Sequence, residues 1–445
     1  MKILKACFFA FVFFVLLFNT GCNNDDNTTE PTTMSGGDDD PNVGGEDPPP
    51  VDGNDPETAG TIQLFNPSAV ADNFILVNDA GNNRAYIMDK EAKILHEWPL
   101  TNNLGNDAFL LPDGRLLASL ETDDPKITLG GQGGKIQFVD ADGTVLWNFD
   151  YSSEESETHH DVELLPNGNV LAMVWEKRTM QEAEAAGSTL GIDVFPDALI
   201  EVNPTTDEIV WEWHVWDHII QEADDTKANF GVVADNPQLI NVNYVPNERG
   251  DITHGNGISY DASKDLIYLS SNFFHEIWVI DHSTTTAEAA ASSGGNFDKG
   301  GDLLYRFGNP EAYNNPEGTR LFFNNHYPNL LSGTDAGKVL VFVNGAGFDQ
   351  STVYELELPA SFNLLPNTDN EPTISWSFTD PELFSDRVSG AVRLPNGNTM
   401  ITEGDFGLWE VSRFGEVLWK FEGPGFYWRA YHYDKDAPEI KALGL

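Results

Sequence analysis

Along most of this chain apolar and polar residues alternate in short runs, a period of two that marks half-buried strands rather than helices. One run recurs six times: two mostly aliphatic residues, then aromatics at alternate positions. Its copies are Ile94-Leu95-His96-Glu97-Trp98, Val145-Leu146-Trp147-Asn148-Phe149, Ile209-Val210-Trp211-Glu212-Trp213, Leu303-Leu304-Tyr305-Arg306-Phe307, Ile374-Ser375-Trp376-Ser377-Phe378 and Val417-Leu418-Trp419-Lys420-Phe421. Branched and aromatic side chains at alternate positions suit a pleated surface with one buried face. A polar turn precedes most copies, such as Asp140-Ala141-Asp142-Gly143 or Arg413-Phe414-Gly415-Glu416.

Upstream in each unit lies an apolar run, a turn and a second apolar run. The clearest turns are Leu111-Pro112-Asp113-Gly114, Leu165-Pro166-Asn167-Gly168 and Leu394-Pro395-Asn396-Gly397. Asp-Gly or Asn-Gly between apolar runs is the strongest local signal for a hairpin. Looser copies are Tyr260-Asp261-Ala262-Ser263-Lys264-Asp265 and Leu331-Ser332-Gly333-Thr334. Each unit therefore reads as roughly four short strands ending in the aromatic one. Six such units predict an all-β chain, a six-bladed β-propeller. Helix is expected only in loop segments, Gln181 to Ala186 and Ala287 to Ala291.

The N-terminus breaks the pattern. Lys2 and Lys5 precede an apolar run, Phe8 to Phe18, too short to span a bilayer. The stretch ends Asn19-Thr20-Gly21-Cys22. A basic start, a short apolar stretch and a small residue before a cysteine describe a bacterial lipoprotein signal, with Asn19 where Leu is usual. Residues 1–22 are thus expected to be the signal peptide, with Cys22 lipidated. Cys7 leaves with the signal, so no disulfide can form within the mature chain and stability has to come from packing. Residues 23–60 include Asp25, Asp26, Asp38, Asp39, Asp40, Glu46 and Asp47, hold no Lys or Arg, and have almost no large apolar side chain. Such a segment cannot offset its ordering entropy and is expected to be a disordered acidic linker. Residues 61–445 form the propeller on this reading, held by a lipid anchor in the bacterial cell envelope as an outer-membrane lipoprotein, periplasmic or surface-exposed.

Charge narrows the partners. Against 71 Asp and Glu there are 24 Lys and Arg, a formal net charge of −47. This argues strongly against a nucleic-acid partner, because phosphate binding needs clustered cations.

Candidate chemistry comes from aligning the units on their turns. Just before the first strand stand His160 in unit three, His254 in unit four and His326 in unit five; Asn106 and Ser389 occupy the place in units two and six. The innermost strand of each propeller blade lines the axis, so equivalent positions form a ring. A lone histidine before a strand is more often structural, but three of the ten histidines share this one place. Convergent imidazoles can be a nucleophile with acid/base helpers, a three-histidine metal site, or polar lining that holds water.

Several segments resemble the bacterial arylsulfate sulfotransferases. They are His159-His160-Asp161 ahead of Leu164-Leu165-Pro166-Asn167-Gly168-Asn169, and Asp251-Ile252-Thr253-His254-Gly255-Asn256-Gly257-Ile258-Ser259-Tyr260. Further on come His326 ahead of Val339-Leu340-Val341-Phe342-Val343-Asn344-Gly345, the run Ser389-Gly390-Ala391-Val392-Arg393-Leu394-Pro395-Asn396-Gly397-Asn398-Thr399, and Trp428-Arg429-Ala430. The resemblance implies a six-bladed propeller that moves a sulfuryl group from a small phenolic sulfate donor to a phenol acceptor, with no nucleotide sulfate, cofactor or metal. By motif position His326 matches the histidine that is transiently sulfated. His160 and His254 match the helpers that bind sulfate and handle the phenol proton. His159, Asn256, Asn272 and Arg429 are the substrate-binding candidates. Asn272, in Leu269-Ser270-Ser271-Asn272-Phe273-Phe274-His275, stands where the family has an arginine. An amide donates hydrogen bonds but carries no charge, so Lys177, Arg178 or Arg429 would have to supply it. His275 and the cluster His214, Asp217 and His218 read as loop and blade-edge groups. The competing function is a non-catalytic surface propeller that binds a glycan, a sulfated polymer or a protein; the metal reading is less favoured, with no acidic calcium-type loop in the chain.

Overall fold

The computed structural model describes residues 57–445. The signal segment, Cys22 and the linker through residue 56 lie outside the described residues. Six small antiparallel sheets stand in a ring, and helices are few and short, so the chain is the six-bladed β-propeller that its repeat predicts.

Four blades are built from consecutive strands, running from the axis outwards. Blade two is Leu104–Leu110, Leu116–Glu121, Gly134–Val139 and Val145–Asp150. Blade three is Ser156–Leu164, Val170–Glu176, Asp197–Asn203 and Glu208–His214. Blade four is Gly255–Asp261, Leu266–Ser271, Glu276–Asp281 and Tyr305–Phe307. Blade five is Asn325–Leu330, Lys338–Val343, Thr352–Glu357 and Thr373–Phe378. The aromatic run of each unit is the outer strand. Helices occur at Met180–Ala185 and Thr286–Ala289, within a residue or two of the expected places, and at Pro438–Ala442, which has no counterpart in the pattern.

The unit rule fails where the ring closes. Blade one takes its innermost strand, Tyr427–Asp434, from the C-terminus; it pairs with Asn73–Asp79, followed by Arg84–Met88 and Ile94–Glu97. Blade six runs Gly390–Arg393, Thr399–Glu403, Gly407–Val411 and Val417–Glu422, and Thr61–Phe65 adds a fifth strand on its outer edge. Both chain ends are thus stitched into blades that the opposite end began. The linker joins earlier than residue 61: Thr58 bridges Lys93, and the Ala59 N–H donates to Ala92 O at 2.8 Å, because the turn of blade one offers backbone partners.

The three Leu-Pro turns share one geometry. Gly114, Gly168 and Gly397 each donate to the carbonyl of the leucine three residues back at 2.9 Å, with φ of 87°, 85° and 88°. Only glycine takes that left-handed φ without strain, which explains Asp-Gly and Asn-Gly at these corners.

The aromatic run also explains how blades hold each other. Its third residue reaches the outer turn of the next blade in every unit. His96 of blade one meets the backbone of Ala141 in blade two. Trp147 Nε1 donates to Asp207 at 2.8 Å and Trp211 Nε1 to Thr284 at 3.2 Å. The Tyr305 hydroxyl donates to the Asn370 carbonyl in blade five. Trp376 Nε1 donates to Arg413 O at 2.9 Å, and Trp419 Nε1 closes the circle on Lys90 O at 2.8 Å. Trp419→Phe keeps a ring in place but strands a carbonyl beneath a fully buried side chain. It is expected to cost about 1–3 kcal/mol. Trp147→Phe, whose partner Asp207 is exposed, should cost less. Equilibrium denaturation of both variants checks the order.

Candidate active site

Five of the six innermost strands slip in register at one level. In blade three His159 pairs with Met173 and Val162 with Ala172, so His160 and Asp161 have no partners in the ladder. Asn256 is extra in blade four and Trp428 in blade one; blades two and five slip between Leu104 and Ala108 and between His326 and Asn329. A bulge turns the strand and re-aims the side chains beside it. The aligned positions Asn106, His160, His254 and Ser389 all have left-handed φ, at 108°, 53°, 46° and 87°. His326 does not, but its neighbours Asn324 and Tyr327 do, at 58° and 53°. Strain of this kind gathers at functional sites. The three histidines do not all precede their strands: His160 lies within Ser156–Leu164 and His326 within Asn325–Leu330, because bulges rather than strand ends aim them.

These bulges bring the three imidazoles together. The ring centres of His160 and His254 are 5.0 Å apart, edge to face. Trp428 joins the third: its indole lies 5.4 Å from His160 and 6.0 Å from His326. All three histidines are 1–3 % exposed, so the cluster is enclosed rather than open at a mouth. Burial, then the charges of His254, His159, His326 and Arg429, pull the His160 pKa well below its ordinary value. Burial lowers His326 to about 3, against the raising effect of Asn344. Among the described residues no group of three or more His, Cys, Asp or Glu is placed to hold a metal ion.

Each imidazole is held from behind. His254 Nδ1 sits 2.5 Å from Asp251 Oδ2. His326 Nδ1 sits 2.6 Å from Asn344 Oδ1. His160 Nδ1 sits 2.8 Å from His159 Nδ1, and His159 stacks on Trp175 at 4.1 Å. Gly131, at φ +75°, lies against the His160 ring; a Cβ there would come within 2.1–2.6 Å of three of its ring atoms.

The model of the arylsulfotransferase (ASST) family matches residues 61–419. The chain belongs to that family. No curated protein matches the sequence. Solved structures resemble the chain only distantly. A Bacteroides caccae protein of unknown function is 15% identical, covering 81% of this chain and 99% of its own, with a TM-score of 0.46. A putative 6-phosphogluconolactonase from Bacteroides fragilis is 11% identical, covering 83% and 100%, with a TM-score of 0.42. Likenesses this weak carry no argument about activity.

Against the family pattern, the substrate-binding candidates divide. Asn272 and Asn256 donate their amides to one carbonyl, that of Asn325, at 3.2 and 2.9 Å. Asn272 thus braces, with Asn256, the peptide before His326. Arg429 does not supply the charge that an amide lacks. Its guanidinium donates to Asp161 at 2.8 Å, to Asp107 at 3.2 Å and to Asn256 O at 3.1 Å, and lies over the Tyr327 ring at 4.0 Å. It is a pin joining five blades beside the histidines. Lys177 pairs with Asp193 and Arg178 with Glu176, so both charges are already engaged. His275 backs the site, accepting the Asn324 N–H at Nδ1, 3.0 Å. His214 pairs with Glu176 and His218 with Asp302, and Asp217 is exposed, so that cluster is structural.

Four residues of the site lay beyond the sequence reading. Asp251 and Asn344 sit inside the quoted motifs, three residues before His254 and at the end of a strand, but their partnership with imidazoles needs the fold. Asp197 and Gly131 carry no sequence signal. Gly131→Ala should push the His160 ring aside and lower kcat/KM for sulfuryl transfer on the order of 10²-fold, since small misplacements cost that much. A melting curve and steady-state assay of that variant check this.

Proposed function

We propose that the chain transfers a sulfuryl group between phenols through a sulfated His326, with no nucleotide donor. The observation that carries the reading is the orientation of His326. Asn344 Nδ2 donates to Ser385 O at 2.9 Å and Val388 O at 3.1 Å, which turns its Oδ1 toward His326. An amide oxygen only accepts. The His326 proton therefore lies on Nδ1, leaving the Nε2 lone pair free of a proton. With its pKa lowered to about 3 the ring stays neutral near pH 7, as a nucleophile must.

In the first half-reaction the Nε2 lone pair forms a bond to sulfur as the sulfur–aryl oxygen bond breaks. The departing oxygen takes the Nε2 proton of His254, which enters the step as an imidazolium paired through Nδ1 with Asp251 and leaves it neutral. Enclosure keeps water from the sulfohistidine. In the second half a phenol oxygen attacks sulfur, the N–S bond breaks and its electron pair returns to Nε2. The phenol proton returns to the histidine pair. A protonated His254 supplies positive charge beside the sulfuryl group, where negative charge spreads in the transition state.

Incubation with an aryl sulfate and a phenol should give transfer with ping-pong kinetics, and a mass increment of one sulfuryl group on the peptide bearing His326. His326→Ala should reduce transfer to background. His254→Ala should lower it about 10²–10⁴-fold. Tight binding of aryl sulfate with no turnover in the wild type would sink the reading and favour a binding propeller.

A further inference from the structure

Behind the three histidines runs a chain of polar groups with no assigned role. Asp197, the first residue of the third strand of blade three, is fully buried. Its Oδ2 accepts the Gly255 N–H at 2.6 Å, and its own N–H donates to Thr253 Oγ1 at 3.0 Å, so blade four fixes it. The other oxygen, Oδ1, lies 3.0 Å from His159 Nε2. His159 Nδ1 in turn lies 2.8 Å from His160 Nδ1. The rings cannot easily turn: His159 stacks on Trp175 with 7° between planes, and the His160 ring lies hard against Gly131.

We infer that Asp197 is a positioning residue which, through His159, holds His160 in the tautomer whose Nε2 bears no proton, and so makes His160 the acceptor of the incoming phenol's hydroxyl proton. The deduction follows the donors along the chain. The 3.0 Å contact is an ion-pair distance without hydrogen-bond alignment. Yet two lone pairs that close in a dry interior would repel, and a carboxylate has no proton to give, so the His159 nitrogen facing it carries one. With a single ring proton His159 has a bare Nδ1, and two ring nitrogens this close need a proton between them. His160 supplies it from Nδ1, and its Nε2 is left bare. Burial keeps His160 neutral. A bare nitrogen accepts a hydrogen bond and cannot donate one to a sulfuryl oxygen. It therefore suits the acceptor hydroxyl, while His254 serves the departing oxygen.

The inference rests on the sulfuryl-transfer reading, and its step balances. The phenol oxygen bonds to sulfur, the N–S bond to His326 breaks with its pair returning to His326 Nε2, and the hydroxyl proton moves to His160 Nε2. The proton then returns to His254, restoring the donor for the next cycle.

The test is long-range ¹H–¹⁵N correlation NMR on the labelled, full-length protein, with His160→Gln to assign the signal. The wild type should show His160 protonated at Nδ1 and His159 at Nε2. In Asp197→Asn the amide keeps its oxygen on Gly255 and presents its NH₂ to His159. The chain of donors then reverses and His160 carries its proton at Nε2. Sulfation of His326 by donor should stay near wild type, while turnover with acceptor falls about 10²–10⁴-fold. If that variant does not fold, His159→Phe keeps the stack on Trp175, and mixed His160 tautomers are expected. A His160 Nε2–H or a doubly protonated His159 in the wild type overturns the inference, as does an unchanged tautomer in Asp197→Asn. A wild type with the expected tautomers but no sulfuryl transfer would overturn the functional reading instead and leave the Asp197–His159–His160 chain standing.

Discussion

Closure of the ring governs everything else in this molecule. Each blade passes one side chain to its neighbour, from His96 to Ala141 around to Trp419 and Lys90. Each such bond adds about 0.5–1.5 kcal/mol net, but together they tie every blade to the next and so set the angle between blades. With that angle set, the innermost strands have to converge. Polar backbone and side chains at their tips are forced out of water together; many satisfy one another, but Asn256 Oδ1, Asn272 Oδ1 and Arg429 Nε find no partner among the described residues. Trp419 shows how tightly the seam is tied, since it carries Lys90 over its ring at 4.7 Å while Lys90 pairs with buried Glu410 at 2.7 Å.

At the axis, one dipeptide separates two chemistries. Trp428 touches His160 and His326, and Arg429 enters the carboxylates Asp107 and Asp161. Burial pushes the Asp107 carboxyl well up; Arg429 pulls it down, and Asp161 adds to the rise. Such a buried ionic hub is costly to break, because losing the guanidinium would leave two carboxylates facing each other without water. The same strand that closes the ring thus supplies both the floor of the site and the wall between two imidazoles.

A chain of net charge −47 is an unusual host for an anionic ester. The local field resolves this. The groups nearest the imidazoles are amides, aromatic rings and carboxylates already paired or aimed at ring nitrogens, as Asp251 is at His254 and Asp197 at His159. Carboxylates used in this way favour protonated or correctly tautomerised histidines rather than repelling the substrate directly. Asn272, with Asn256, spends its hydrogen bond on the Asn325 carbonyl and so on the placement of His326.

The six aromatic runs and the Leu-Pro-Asn-Gly or Leu-Pro-Asp-Gly corners were readable because they are local: a period of two and a left-handed glycine both lie within one hairpin. They determined the strand type, the number of blades and, by alignment, which three histidines would meet. The partner of each imidazole was not readable. Asp197 is 38 residues from His159, and Arg429 finds Asp161 across 268 residues; no spacing rule connects them. Nor did the pattern reveal that residues 427–434 complete blade one, since a strand carries no label for the sheet it joins. Tautomer, burial and the fate of Arg429 were decided only when six blades closed on one axis, because those properties depend on what lies across it.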